Sequence, residues 1–268
     1  MKGQSRIRPA LTALLLGVSG CSAPESIAPG RIVSNNPCVD AILARIADPP
    51  TIGAVSVWSA DPRSASAPVA WAAAYPVIGS TAEEVIAARP KLALIGAFGD
   101  PKPLERAGIR HLRFGVPGSL DESVMQVREI AAAIGRRQEG EQLADQIAVA
   151  ARPRAPTGLS AIIWLSGGFV PGKGTLADEM LSRAGFRNAS ARYGLNQWDI
   201  LPVETLVLNP PDVIFTPAAH AGDRSAALRQ TLISRLRPAP AVIPFPEHLL
   251  NCGGPSIVEA MAILESAR

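Results

Sequence analysis

The chain has 268 residues, 47% of them apolar and 18% charged, and a formal net charge of +3. Residues 1–20 hold three basic residues, Lys2, Arg6 and Arg8, and no acidic one, so residues 21–268 are formally neutral. A neutral body excludes the clustered cationic surface of a nucleic-acid-binding domain, and no apolar run approaches the roughly 20 residues of a membrane-spanning helix.

The N-terminus has the layout of an export signal: the basic residues, the apolar stretch "LTALLLGV", then Ser19 and Gly20 before Cys21. The ending "VSGC" resembles the lipidation site of bacterial lipoproteins, which implies cleavage after residue 20 and a lipid on Cys21; an ordinary signal peptide is the alternative. Residues 21–30, rich in Pro, Ser and Gly, suit a flexible tether. Two cysteines remain, Cys38 in "NNPC" and Cys252 in "LNCGG", both in loops of an exported chain. They form either a disulfide tying the C-terminal segment to the N-terminal half or two buried free thiols.

Residues 31–135 read as an N-terminal lobe in which "RIVSN", "IGAVSV", "LALIG" and "IRHLRF" are strands alternating with helices, the pattern of a parallel sheet. From Asp121, taken as an N-cap, a helical pattern runs to Pro153. Gly135 and Gly140 interrupt it, which predicts a break near 135–138 and a linking helix over 136–153. Residues 154–268 read as a C-terminal lobe with strands "AIIWL", "VIFTP" and "AVIPF". The segment "TAEEVIAARPKLALIG" at 81–96 is echoed by "PVETLVLNPPDVIFTP" at 202–217: a glutamate at a helix start, a short helix, a proline break and an apolar strand.

The segment "SGGFVPGKGTL" at 166–176 approaches a phosphate-binding G-x-x-x-x-G-K-[ST] loop, with Gly167, Gly172 and Lys173 in place. Gly174 stands where a magnesium-ligating hydroxyl belongs, and Asp212 opens its strand rather than closing it. Nucleotide hydrolysis is disfavoured on both counts. An exported hydrolase is the other enzymatic reading, but His111, His220 and His248 are scattered and accompany no G-x-S-x-G elbow and no H-E-x-x-H spacing.

In their order, "RIVSNNPCVDAILARIADPPTIGAVS", "EEVIAARPKLALIG", "GKGTLADEMLSRAGFRNA" and "NPPDVIF" resemble the solute-binding proteins of ABC importers for cobalamin and ferric siderophores, over residues 31–268. The resemblance implies an α/β fold: two three-layer lobes with mainly parallel sheets, joined by a single long helix, the ligand held in the cleft between them. It implies a monomeric, non-enzymatic protein without cofactor or bound metal of its own. Such a protein sits in the periplasm, is held to the membrane by its lipid alone, and delivers a metal chelate to a permease dimer. Cobalamin is the first choice because the neutral body shows no cationic excess for a strongly anionic ligand; a ferric siderophore or heme is the alternative.

Glycines in the 166–176 loop then let a bulky ligand approach the backbone. Trp58, Tyr75, Phe98, Phe169, Tyr193 and Trp198 fall in loops where open α/β sheets place ligands, with Arg63, Arg192 and Lys173 as polar candidates. The resemblance further assigns Glu83 and Glu204 to permease docking, one on each lobe, with Glu84 adjoining Glu83.

Overall fold

A computed structural model describes residues 30–98, 100–219 and 224–268; the signal, most of the tether, Cys21 and His220 lie outside the described residues. The first sheet grows from apolar runs that are buried on both faces, as parallel strands covered by helices must be. Its strands are β1 (Ile32–Ser34), β2 (Ile52–Ser56), β3 (Val77–Ile78), β4 (Leu92–Gly96) and β5 (His111–Phe114), in the order β3-β2-β1-β4-β5 and all parallel. Between them lie α1 (Pro37–Ile46), α2 (Val69–Ala72), α3 (Ala82–Ala87) and α4 (Lys102–Arg106). Helix α1 starts sharply because Asn36 caps it, accepting from the Cys38 amide at 2.9 Å, and Pro37 at the first helical position has no amide to satisfy.

The chain then runs through α5 (Leu120–Ala133) and α6 (Arg137–Ala150) to the second lobe. Ser119, not Asp121, is the N-cap of α5: its hydroxyl accepts from the Glu122 amide, which leaves Asp121 in the first turn, where a negative charge suits the helix dipole. The break falls at Gly135, which takes a φ of 77°. Gly140 does not interrupt α6 but lets it close on α5, since a Cβ there would lie 2.2 Å from that of Ala131.

The second lobe comprises β6 (Ser160–Ile163), β7 (Phe169–Pro171), α7 (Leu176–Arg183), β8 (Arg187–Asn188), β9 (Trp198–Ile200), α8 (Val203–Leu208), β10 (Val213–Thr216), α9 (Arg224–Arg235), β11 (Ala241–Pro244) and α10 (Ser256–Ser266). Its four-stranded parallel sheet, β11-β10-β6-β8, repeats the β5-β4-β1-β2 order of the first. The echoed segments therefore occupy equivalent places: α3 leads into β4 and α8 into β10, each strand flanking its lobe's central one. β7 and β9 form a separate antiparallel ribbon, and these, with the two-residue β3 and β8, are the strands that apolar runs alone do not announce.

The lobes share one apolar core. Leu43 and Ile46 of α1, Val127 and Ile130 of α5, Leu143 and Ile147 of α6, Phe215 of β10 and Met261 and Leu264 of α10 belong to a single buried cluster. The segment before α10 returns to the first lobe: the Gly254 amide donates to the Ser123 hydroxyl at 2.6 Å, and Gly253 packs where a Cβ would meet Pro117 at 2.5 Å. Cys38 and Cys252 are joined by a disulfide across 214 residues with their α-carbons 5.1 Å apart. Closing a loop of that length removes chain entropy from the unfolded state worth on the order of 5 kcal/mol.

One buried carboxyl supports the first lobe. Asp40 of α1 is fully buried and accepts from the Ser56 amide at 2.8 Å and the Ser59 hydroxyl at 2.6 Å, while its second oxygen has no partner. Burial pushes its pKa from 3.8 up to about 7, against the pull of the serine hydrogen bonds. Between those values the folded chain keeps a proton that the unfolded chain has lost, so stability falls as pH rises through this window and levels off above it. Thermal unfolding of the wild type is expected to show a loss on the order of 3 kcal/mol from about pH 5 to about pH 8. Asp40→Asn, which keeps an acceptor oxygen, flattens the slope; a wild type that gains stability over this range contradicts the assignment.

Candidate functional site

The carboxyl ends of the strands of both sheets open onto one cleft. On the first lobe the order reverses between β1 and β4, the position at which open α/β sheets bind ligands. Asn35 and Asn36 follow β1 there and tie neighbouring strand ends together: Asn35 Oδ1 accepts from the Gly96 amide and Asn36 Nδ2 donates to the Phe114 carbonyl, both at 3.0 Å. Around them Trp58, Phe98, Val116 and Asn251 line a hollow of about 260 Å³. Trp58 rides on a tight turn held by Ser56, whose hydroxyl accepts from the Trp58 amide, and Ser56 is itself held by Asp40. Trp58 remains 53% and Phe98 94% exposed.

On the second lobe the glycine-rich stretch builds the facing lip. Gly167 and Gly168 take φ values of 68° and 85° directly after β6, a left-handed turn that side chains resist. The ribbon that follows pairs Pro171 with Trp198 and passes so close to the next loop that a Cβ on Gly172 would lie 2.7 Å from the Leu195 carbonyl oxygen. Trp198, 48% exposed, therefore projects beside Gly174. With Val116–Gly118 from the first lobe it lines a second hollow, of about 190 Å³. A third, of about 740 Å³, lies between Pro62 and Arg63 on one side and Ser166, Ala218, Phe245 and His248 on the other.

Helix α7 offers no phosphate cradle. Asp178 reaches back to accept from the Gly174 amide at 3.0 Å, and the Thr175 hydroxyl accepts from the Asp178 amide, so donors expected to remain open at this helix start are already used. Lys173 is exposed, and its backbone bridges to the 195–197 segment, its amide donating to the Leu195 carbonyl and its carbonyl accepting from the Gln197 amide.

Of the aromatic and basic residues singled out from the sequence, Trp58, Phe98, Arg63 and Trp198 line the cleft. Phe169 is exposed on the ribbon, packed against Gly167. Three lie elsewhere. Tyr75, just before β3, packs at a tilt against Trp71 with ring centroids 5.0 Å apart, both resting on the shared apolar core. Arg192 and Tyr193 lie at the amino end of the second sheet, Arg192 bonding the Ser160 hydroxyl and the Pro210 carbonyl and Tyr193 donating to the Asn209 carbonyl at 2.6 Å. Their turn folds back from β8, which is only two residues long, so they lie behind the sheet rather than in front of it. Arg63 pairs with Asp61 through two hydrogen bonds, which hold the Asp61 carboxyl below its usual range.

Asn35, Asn36 and His248 were not read as site residues. The asparagines carry a signal, a polar pair directly after the first strand. His248 carries a weaker one, its place four residues after the last strand. It is half-buried in the cleft beside Glu247, whose carboxylate accepts from the Ser166 amide at 3.4 Å. Glu83 and Glu204 are both exposed in the first turns of the equivalent helices α3 and α8. Glu84 is committed locally, closing a capping box with Thr81.

A family model described as "Periplasmic binding protein" matches residues 32–237. No curated protein matches the sequence. Among solved structures, the periplasmic heme-binding protein RhuT from Roseiflexus sp. RS-1 in apo form is 23% identical with a TM-score of 0.67, covering 90% of this chain and 99% of its own. The periplasmic heme-binding protein HutB of Vibrio cholerae is 17% identical with a TM-score of 0.69, covering 88% and 98%. A periplasmic heme-binding protein from Pseudomonas aeruginosa is 23% identical with a TM-score of 0.63, covering 90% and 92%. At these identities the similarity is one of fold.

The Gly172 contact tests how the second lip is held. Gly172→Ala forces a methyl group against two backbone carbonyls, and is expected to cost about 1–3 kcal/mol in chemical denaturation. The emission of Trp198 should change with it. A substitution that alters neither places no load on this contact.

Proposed function

The chain belongs to the periplasmic binding protein family, and on that premise we propose that it captures heme outside the cytoplasm and passes it to an ABC importer. It is a binding protein rather than an enzyme, which removes the exported-hydrolase reading. The observation that carries the heme reading is the exposure of Trp58, Phe98 and Trp198 on the two lips of one cleft. Large aromatic faces left open to water are costly unless something flat and apolar covers them. A tetrapyrrole does so, with its ring between the lips. Two polar groups complement it: Arg63 at the rim suits a carboxylate, and the His248 imidazole suits the iron. Support also comes from the structurally similar proteins, which are themselves heme-binding. Heme thus takes the place of cobalamin as first choice, since nothing in the cleft singles out the amide-rimmed corrin.

Export and lipidation at Cys21 rest on the N-terminal sequence alone. The docking roles of Glu83 and Glu204 rest on the family resemblance, and are supported by their equivalent, exposed places on α3 and α8. Two separated carboxylates fix the orientation of docking more than they add affinity.

Heme titrated into the protein should give a saturable Soret band and quench tryptophan emission. Trp58→Ala and Trp198→Ala should each weaken binding by about 2 kcal/mol, the cost typical of an aromatic anchor. His248→Ala should shift the Soret maximum, and Tyr193→Phe should leave binding unchanged. Tighter binding of cyanocobalamin or of a ferric siderophore in the same assay would replace heme as the cargo and leave the family assignment standing.

The double variant Glu83→Ala, Glu204→Ala should abolish uptake in cells while the isolated protein keeps its affinity for heme. Equal loss of heme affinity would place the two carboxylates in ligand binding instead.

A further inference from the structure

The second lobe holds a buried cation with no counter-charge among the described residues. Arg229, on the inner face of α9, is only 6% exposed, and its one hydrogen bond among the described residues runs from Nη1 to the Leu165 carbonyl at a long 3.4 Å. None of the ion pairs among the described residues includes it. A guanidinium cannot shed its proton and carries five N–H donors, of which the described residues meet one, so the others are left to solvent or to a ligand in the hollow it lines.

A second unmet donor lies beside it. Trp164 is 5% exposed and its indole Nε1 has no partner among the described residues. Its backbone, by contrast, is fully engaged: the amide donates to the Phe215 carbonyl at 2.7 Å and the carbonyl accepts from the Thr216 hydroxyl at 2.8 Å. Trp164 and Arg229 line the same hollow, of about 430 Å³, together with Gly167, Gly168 and Ser225. No acidic side chain among the described residues lines it. Ser225 belongs to the first turn of α9, a helix of 12 residues, whose dipole places positive potential at this end. Arg229 also borders a hollow along the edge strand β11, but only the first hollow adds the orphan indole.

We propose that this hollow, between the glycine turn after β6 and the start of α9, binds a small oxyanion, a carboxylate or a phosphate. One oxygen pair meets the Arg229 guanidinium side-on, and the indole N–H donates to the anion's rim. The turn keeps glycine at both 167 and 168, at φ 68° and 85°, so neither residue puts a side chain of its own into the hollow. This inference does not depend on which chelate the cleft holds. The anion has two possible sources, a free ion or a carboxylate arm of the cargo, since Trp164, Gly167 and Gly168 follow the carboxyl end of β6, the end that faces the cleft.

The test follows the Trp164 indole resonance in ¹⁵N–¹H spectra, identified among the signals of four tryptophans by its loss in Trp164→Phe. Sodium acetate and sodium phosphate are titrated into cargo-free protein at constant ionic strength. The expected result is a saturable shift of that signal, weakened at least ten-fold in Arg229→Gln. Leu228→Glu provides a variant at an exposed position on the same hollow; its tethered carboxylate should occupy the site and remove the response even if Arg229→Gln fails to fold. A Trp164 signal that neither anion moves in the wild type overturns the proposal, as does an undiminished response in Leu228→Glu. Gallium protoporphyrin and its dimethyl ester separate the sources. A shift with the free acid but not the ester assigns the carboxylate to the cargo. A shift with acetate that persists once the porphyrin is bound assigns it to a free ion.

Discussion

The contact between α5 and α6 is the constraint on which the cleft depends. Gly140 meets Ala131 where any side chain would hold the helices apart, and the pair they form carries the apolar cluster from the first sheet to the second. The lobes are therefore not two folds on a string. α10 closes the same cluster from the C-terminal side, and the disulfide with the Gly253–Gly254 turn binds its leading segment to the first lobe. Joined behind by shared burial, the sheets have only their carboxyl ends free to face one another. Opening the cleft widely would expose part of that cluster, at roughly 25 cal/mol for each Å² of apolar surface. Modest adjustment at the lips costs much less.

The two lips differ in how they are made. On the first lobe each side chain is held by the next: Asp40 fixes Ser56 and Ser59, Ser56 fixes the turn that carries Trp58, and the Asn35–Asn36 pair pins the ends of β4 and β5. Such a wall is preorganised, so little ordering is left to be done when a ligand arrives. The second lip has a different character. It is a short ribbon carrying glycines at each end, with Phe169, Trp198 and Ile200 open to solvent.

Much of this architecture is legible in the sequence. Strands buried on both faces appear as short continuous apolar runs, and the central strands of both sheets are of this kind. The echo between 81–96 and 202–217 corresponds to topologically equivalent helices and strands. What escaped detection obeys short-range rules that pattern cannot reach. β3 and β8 are two residues each, too short to show a period. Gly140 reads as a helix breaker by propensity, whereas its use is tertiary contact. Arg192 and Tyr193 read as cleft residues because they fall in a loop of an open α/β lobe, where ligands are placed, but which edge of a sheet a turn reaches depends on how far its strand runs. His248 was passed over because its neighbours in the cleft, Arg63 and Ser166, lie far away in the chain.

The same distinction resolves the glycine-rich loop. Its spacing imitates a nucleotide loop because both need backbone close to a bulky partner and a helix start beyond it. The difference lies in what meets the amides. In a phosphate loop they stay open for the ligand; here Asp178, four residues into the following segment, has filled that place with a carboxylate of the protein's own. An intramolecular anion at effectively fixed distance outcompetes a phosphate in solution and keeps the potential there negative. The lip is thus free to meet its ligand through Trp198 and the bare backbone of the ribbon, by contact rather than by charge. The buried positive charge of Arg229, which has no ion-pair partner among the described residues, lies on the other side of the glycine turn, so the loop separates an apolar contact surface from a cationic one.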